Sequence, residues 1–206
     1  MSAYQKHMVE TRLKYVYATI LQAFRMRQAQ YGDFSLTELT VEGQDVNGYS
    51  YEKSKAVFEE IFAPVFVGST AIPKEQRYYA YSLQGKKFPN DNYAAWYSLA
   101  NGTVLGFIRM GNYDGAGFVI VLNPQKQRPI SGKDYFYMTF QPDDFGNYRY
   151  KTLASQNYSE AKKNEFIQYC KSETNYPAHA TSPMDFCTTL IVKNNFKIPA
   201  GYPIKF

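Results

Sequence analysis

Two histidines, two cysteines and one tryptophan are all that this 206-residue chain carries of the side chains most often used as ligands and nucleophiles. That scarcity excludes several kinds of chemistry. Cys170 and Cys187 stand 17 positions apart, and a zinc site would need clustered histidines beside them, whereas the only two are His7 and His179. His7 falls on the exposed side of a helix and His179 in a Pro/Ala/Thr loop, neither with a patterned carboxylate or nucleophile nearby. There is no G-x-S-x-G, no phosphate-binding loop and no H-E-x-x-H. No run approaches the roughly 18 to 20 apolar residues of a membrane span, and no signal peptide is visible. Net charge is also small, +5 from 23 Lys and Arg against 18 Asp and Glu. The basic residues are scattered, the densest group being Arg12, Lys14, Arg25 and Arg27, and this reads as solubility rather than a nucleic-acid surface. The expectation is a protein that is not an enzyme and has no metal or cofactor.

What the chain does have is aromatic side chains, 20 Tyr and 15 Phe. Tyr combines an apolar ring with a polar tip and suits half-buried sheet faces, so the usage leans towards a β-rich exported domain. The length suffices for one domain with a real core, residues 1–206. Cys170 and Cys187 read either as one disulfide closing a short loop, worth about 3 kcal/mol and implying an oxidising compartment, or as two unrelated buried thiols.

Helical periodicity runs unbroken from Tyr4 to Tyr31, where Val9, Leu13, Val16, Ile20 and Ala23 recur at steps of three and four. Tyr17, Phe24 and Tyr31 broaden that stripe, while Lys6, Glu10, Arg12, Lys14, Arg25 and Arg27 are assigned to other faces. Gly32 ends the helix. Residues 4–31 form a stem about 42 Å long, and because so long a helix begins at once, an upstream segment is expected before Tyr4. Residues 32–76 read as a loop region holding a second helix, Tyr51 to Phe62, with Ser50 as N-cap and Pro64 as terminator.

Strand patterns occupy 77–140: Arg77 to Leu83, Ala95 to Leu99, Thr103 to Met110, Gly117 to Leu122 and Asp134 to Phe140. Asn101-Gly102 marks a hairpin between the second and third. The disulfide-bearing region, 141–206, contains a helix from Ser159 to Cys170, an apolar run from Met184 to Val192 that fits helix or strand, and a proline-rich tail unsuited to a central strand. The fold class is therefore α+β: a long N-terminal helix packed on an antiparallel sheet of four to five strands, with additional short helices.

Weaker signals have plainer readings. Gly111 to Gly117 precedes a strand rather than a helix and reads as a turn. Asp143, Asp144 and Asn147 offer calcium-type oxygens without EF-hand spacing, and read as an acidic turn. Tyr78, Tyr79, Tyr81, Trp96 and Tyr97 are a candidate platform for sugars or bases, but alternation turns about half of them into the core.

Five segments, in order along nearly the whole chain, resemble the type IV pilin-like proteins, including type II secretion pseudopilins. They are Tyr4-Gln5-Lys6 with Val9 to Lys14 and Gln22-Ala23-Phe24; Phe58 to Pro64; Leu99-Ala100-Asn101-Gly102-Thr103; Gly132-Lys133-Asp134-Tyr135-Phe136; and Cys187 to Ile191 followed by Phe196-Lys197-Ile198-Pro199 and Tyr202-Pro203. Asn195-Phe196 stands where those proteins have Gly-Trp, the last residues are Pro203-Ile204-Lys205-Phe206 rather than Pro-Trp, and Asn123-Pro124 replaces a family loop.

The resemblance implies a pilin-like fold and a structural subunit of a pilus-like or pseudopilus filament. Its partners would be other pilin or pseudopilin subunits. Its missing hydrophobic half-helix would hold it in the inner membrane of a bacterial cell envelope before assembly, with the globular part periplasmic or extracellular. Cys170 and Cys187 would tie the C-terminal segment to its preceding helix, and Val9, Leu13, Val16, Ile20 and Phe24 would contact the sheet and neighbouring subunits. A surface binding module (an adhesin or DNA-uptake subunit) and an unrecognised hydrolase are the alternatives.

Overall fold

A computed structural model describes residues 3–36, 38–41, 44–45, 50–88, 93–109, 114–172 and 183–205. Helix α1 (Ala3–Tyr31) is followed by a two-residue ribbon, β1 (Thr40–Val41) with β2 (Gln44–Asp45), then by helix α2 (Tyr51–Val57) and a π-helical turn, Phe58–Phe62. Ser50 caps α2 through its side-chain oxygen, which accepts the Lys53 amide at 3.0 Å.

The sheet is an antiparallel meander of six strands in sequence order: β3 (Thr70–Ala71), β4 (Ala95–Ser98), β5 (Val104–Arg109), β6 (Ala116–Val121), β7 (Tyr135–Pro142) and β8 (Tyr148–Tyr150). Two of these, β3 and β8, lie outside the expected strands; at two and three residues they are too short to display alternation. Conversely, Arg77 to Leu83 is not a strand. Tyr81 alone makes isolated bridges, to Lys87 and Ile130. The segment has strand-like side chains because it lies across the sheet as a cover, where Ala80 and the partly buried Tyr78 pack with Trp96, Val104, Ile108, Val119 and Val121.

The opposite face of the sheet carries Leu105, Phe107, Phe118, Ile120, Phe136, Met138 and Phe140, and packs on α1 and the Phe58–Phe62 turn. Covered on both faces, β5 and β6 are buried at every position. Double coverage explains why they read as continuous apolar runs rather than alternating ones. Trp96 lies directly over its cross-strand partner Gly106, where a Cβ would fall 2.6 Å from the indole Cζ3. The β4–β5 hairpin turns through Ala100, Asn101 and Gly102, and of the expected Asn-Gly pair only Gly102 has positive φ, 77°. That three-residue loop with a left-handed last position differs from the two-residue turn the dipeptide suggests.

The C-terminal unit comprises α3 (Leu153–Asn157), a short 3-10 turn (Glu160–Lys162), α4 (Lys163–Lys171) and α5 (Pro183–Lys193), which resolves the Met184 to Val192 run as helix. Thr152 and Ser155 form a reciprocal capping box on α3, whereas Ser159 makes no side-chain cap. The Thr188 hydroxyl of α5 accepts the Tyr137 amide, which β8 is too short to reach, so this helix closes part of the sheet edge.

Candidate functional site

Helix α1 presents two different faces. Val9, Leu13, Val16, Ile20, Ala23 and Phe24 are at most 2% exposed. Phe24 stacks on Tyr148 with ring centroids 4.2 Å apart and meets Phe62 edge-on at 5.2 Å. Burial of each such side chain contributes about 1.5–3 kcal/mol, an upper range for this bookkeeping. The five positions expected to serve both the sheet and neighbouring subunits are thus enclosed by the chain itself. The outward face, at the same three-four spacing, consists of Tyr4, His7, Thr11, Tyr15, Ala18, Gln22, Met26 and Ala29, all exposed.

The charged residues of α1 are not one solvated set. Arg12 donates to the Leu122 carbonyl at 2.7 Å. Arg27 pairs with Glu60 at 2.8 Å while its guanidinium lies 3.7 Å from the centre of the Tyr31 ring. Glu10, expected on an outer face, is buried: one carboxylate oxygen accepts the Ile198 amide at 2.9 Å and the other meets the Lys197 ammonium at 3.0 Å. Burial pushes the Glu10 carboxyl up, but the Ile198 amide, the Lys197 bond and charge, and Lys6 together hold it below its ordinary value. Its place one residue from Val9 and three from Leu13, at the border of the stripe, was the available signal.

Where the chain leaves α1, Leu36 is clamped from three sides. Its amide donates to Asp114 Oδ1 at 2.7 Å and to the Tyr148 hydroxyl at 3.0 Å, and its carbonyl accepts Arg109 Nη2 at 2.8 Å. Tyr148 in turn donates to Asp114 at 2.5 Å. Burial, then the Asp114 bond and charge, push the Tyr148 hydroxyl far up. Nothing in the local sequence marks Arg109, Asp114 and Tyr148 as one group.

At the other end, Cys170 of α4 and Cys187 of α5 are joined by a disulfide, both residues buried. Beyond α5 the backbone turns left-handed at Asn195 and Phe196, φ 53° and 60°, and the Phe196 amide closes on the Ile191 carbonyl at 2.9 Å. Phe196 then packs edge-on against Tyr17 of α1, centroids 4.9 Å apart. Tyr202, whose hydroxyl burial raises well above the ordinary value, donates to the Gly132 carbonyl at 2.7 Å. The tail is therefore fastened to α1, to α5 and to the β6–β7 connection.

The weaker chemical motifs have structural roles. Asp143 Oδ1 accepts the Phe145 and Asn147 amides at 3.0 Å each, and its other oxygen pairs with Arg149, so this carboxylate organises the β7–β8 turn. Trp96 and Tyr97 are buried on opposite faces of the sheet, which breaks up the candidate aromatic platform. His7 is exposed and reaches Thr11 at 3.5 Å. His179 and residues 111–113 lie outside the described residues. Among the described residues no group of three or more His, Cys, Asp or Glu is placed to hold a metal, and no helix is long and apolar enough to cross a membrane.

No curated protein and no solved structure matches the chain. Residues 1–206 match DUF6613, a family of unknown function, and the chain belongs to that family.

Proposed function

We propose that the chain is the exported globular part of a pilus-like or pseudopilus filament subunit, assembled with other such subunits through the outward face of α1. The observation that carries the reading is the two-sidedness of that helix. One stripe, Val9 to Phe24, is consumed by the sheet and the Phe58–Phe62 turn, while the opposite stripe of the 29-residue helix, Tyr4 to Ala29, is exposed. The turn that carries Tyr4, 76% exposed, precedes the first buried position, Val9, and adds no buried apolar side chain to the domain.

The long helix on an antiparallel meander is compatible with a pilin-like arrangement. The departure at Asn195-Phe196 also fits: Asn195 is left-handed, and after glycine asparagine is the residue that accepts this conformation most readily. In this reading the full-length protein is anchored in the inner membrane before assembly, with its head periplasmic or extracellular, where the disulfide would form.

Site-specific crosslinking tests it. Both native cysteines are paired, so Ala18→Cys on the outward stripe supplies a single reactive thiol. Expressed from the intact gene in its own cells and treated with a bis-maleimide, the variant should give crosslinked multimers. Complete labelling by a mono-maleimide together with a purely monomeric product would remove the proposal.

A further inference from the structure

A cleft of about 500 Å³ opens between α1, β8 and the end of α5, within the size range of small-ligand sites. Each of the three elements contributes one cation to its lining: Arg25, Arg149 and Lys193. Arg25 and Lys193 make no hydrogen bond or ion pair among the described residues, while Arg149 is engaged through Nε by Asp143. Tyr17 and Tyr150 form part of the wall, with Gln28 and Asn147 beside them; the Gln28 amide donates to the Gly146 carbonyl at 2.9 Å and the Asn147 amide to Asp143 Oδ1 at 3.3 Å. Asp143 is neutralised by Arg149, and Asp185 acts on Tyr150, whose hydroxyl bonds Thr189.

We propose that this cleft binds a small, hydroxyl-rich anion of sugar size, held through a carboxylate or phosphate by Arg25 and Lys193, with the Tyr17 and Tyr150 rings as the surface along which it lies. Unpaired cations from separate elements around one concavity focus positive potential inside it. The electrostatics of Tyr17 agree: burial raises its hydroxyl, and Arg25 and Arg149 are the charges that draw it back. The size of the cleft favours a sugar acid or sugar phosphate over a nucleic-acid backbone, which needs a groove that runs on. The site lies on the head and is independent of whether the protein assembles.

Calorimetric titration of the full chain at low salt tests this, with glucuronate, a hexose phosphate, glucose, inorganic phosphate and duplex DNA as separate probes. Saturable binding of glucuronate or the hexose phosphate is expected, with none for glucose. The double variant Arg25→Gln/Lys193→Gln should weaken that binding by about tenfold or more. Its two sites are exposed and make no hydrogen bond or ion pair among the described residues, and an unchanged thermal unfolding curve will verify that the fold is intact. Inorganic phosphate binding as tightly as the sugar anions, DNA outcompeting them, no binding at all, or indifference to the double variant would each overturn the proposal.

Discussion

The carboxylate of Glu10, early in the first helix, accepts the backbone amide of Ile198 at 2.9 Å, a bond across 188 positions of sequence. It fastens the proline-rich tail to α1, with Lys197 closing the other oxygen. Removing the acceptor leaves a buried amide unpaired, which costs more than an exposed ion pair. Glu10→Ala should lower stability by about 1–3 kcal/mol in chemical denaturation. Glu10→Gln keeps an acceptor for Ile198 and should cost less. Because the folded carboxyl titrates below its ordinary 4.5, its contribution is present above that value and is lost as pH falls through the folded pKa. The gap between wild type and Glu10→Gln, measured at neutral pH and again at about pH 3, should therefore narrow.

The Cys170–Cys187 bridge closes a loop of separation 17, so loop-closure entropy assigns it about 3 kcal/mol. Cys170→Ala/Cys187→Ala should lower the melting temperature by about 6–12 °C for a domain of this size. A reductant should lower the melting temperature of wild type and leave that of the double variant unchanged, since the bridge is the chain's only pair of cysteines.

Gly106 faces the indole of Trp96 so closely that a methyl would fall 2.6 Å from Cζ3. Trp96 is buried among Val104, Ile108, Val119 and Val121, and interiors are packed closely enough that a displaced ring must push on its neighbours. Gly106→Ala should destabilise by about 1–3 kcal/mol through overpacking, although alanine suits a strand better than glycine does. Urea denaturation monitored by the fluorescence of the single tryptophan reads both the loss and the displaced ring.

Tyr97, Tyr148, Tyr150 and Tyr202 have hydroxyls pushed well above the ordinary 10, each first by burial. The unfolded chain releases these protons near pH 10 while the folded chain retains them, so stability must fall as pH rises above that point. Phenolate absorbance should reveal a late group of tyrosines that ionises together with unfolding. Tyr158, raised by burial and by Glu160 to about 12, should titrate before that group.

Periodicity alone located α1 and named its buried stripe, because a helix that packs on one layer must repeat its apolar residues every three or four positions. The strands β4 to β7 were equally legible, since each has at least four residues and apolar content that exceeds any helical repeat. Arg77 to Leu83 misled for the complementary reason: residues covering a sheet need the same aromatic bulk as residues within it, and only backbone pairing separates the two.

What folding alone decided is which polar groups became partners. Glu10 is charged like its neighbours on α1, yet its position beside the tail made it an acceptor inside the core. Arg109 fell in an expected strand and Asp114 in the expected turn at 111–117, and only the meander brought both to Leu36. Likewise Arg25, Arg149 and Lys193 belong to three distant segments, and only the packing of α1, β8 and α5 sets them around one cleft. Apolar burial is written as a local repeat, whereas hydrogen-bond and charge partners are fixed by direction and distance across the chain, which a one-dimensional pattern does not contain.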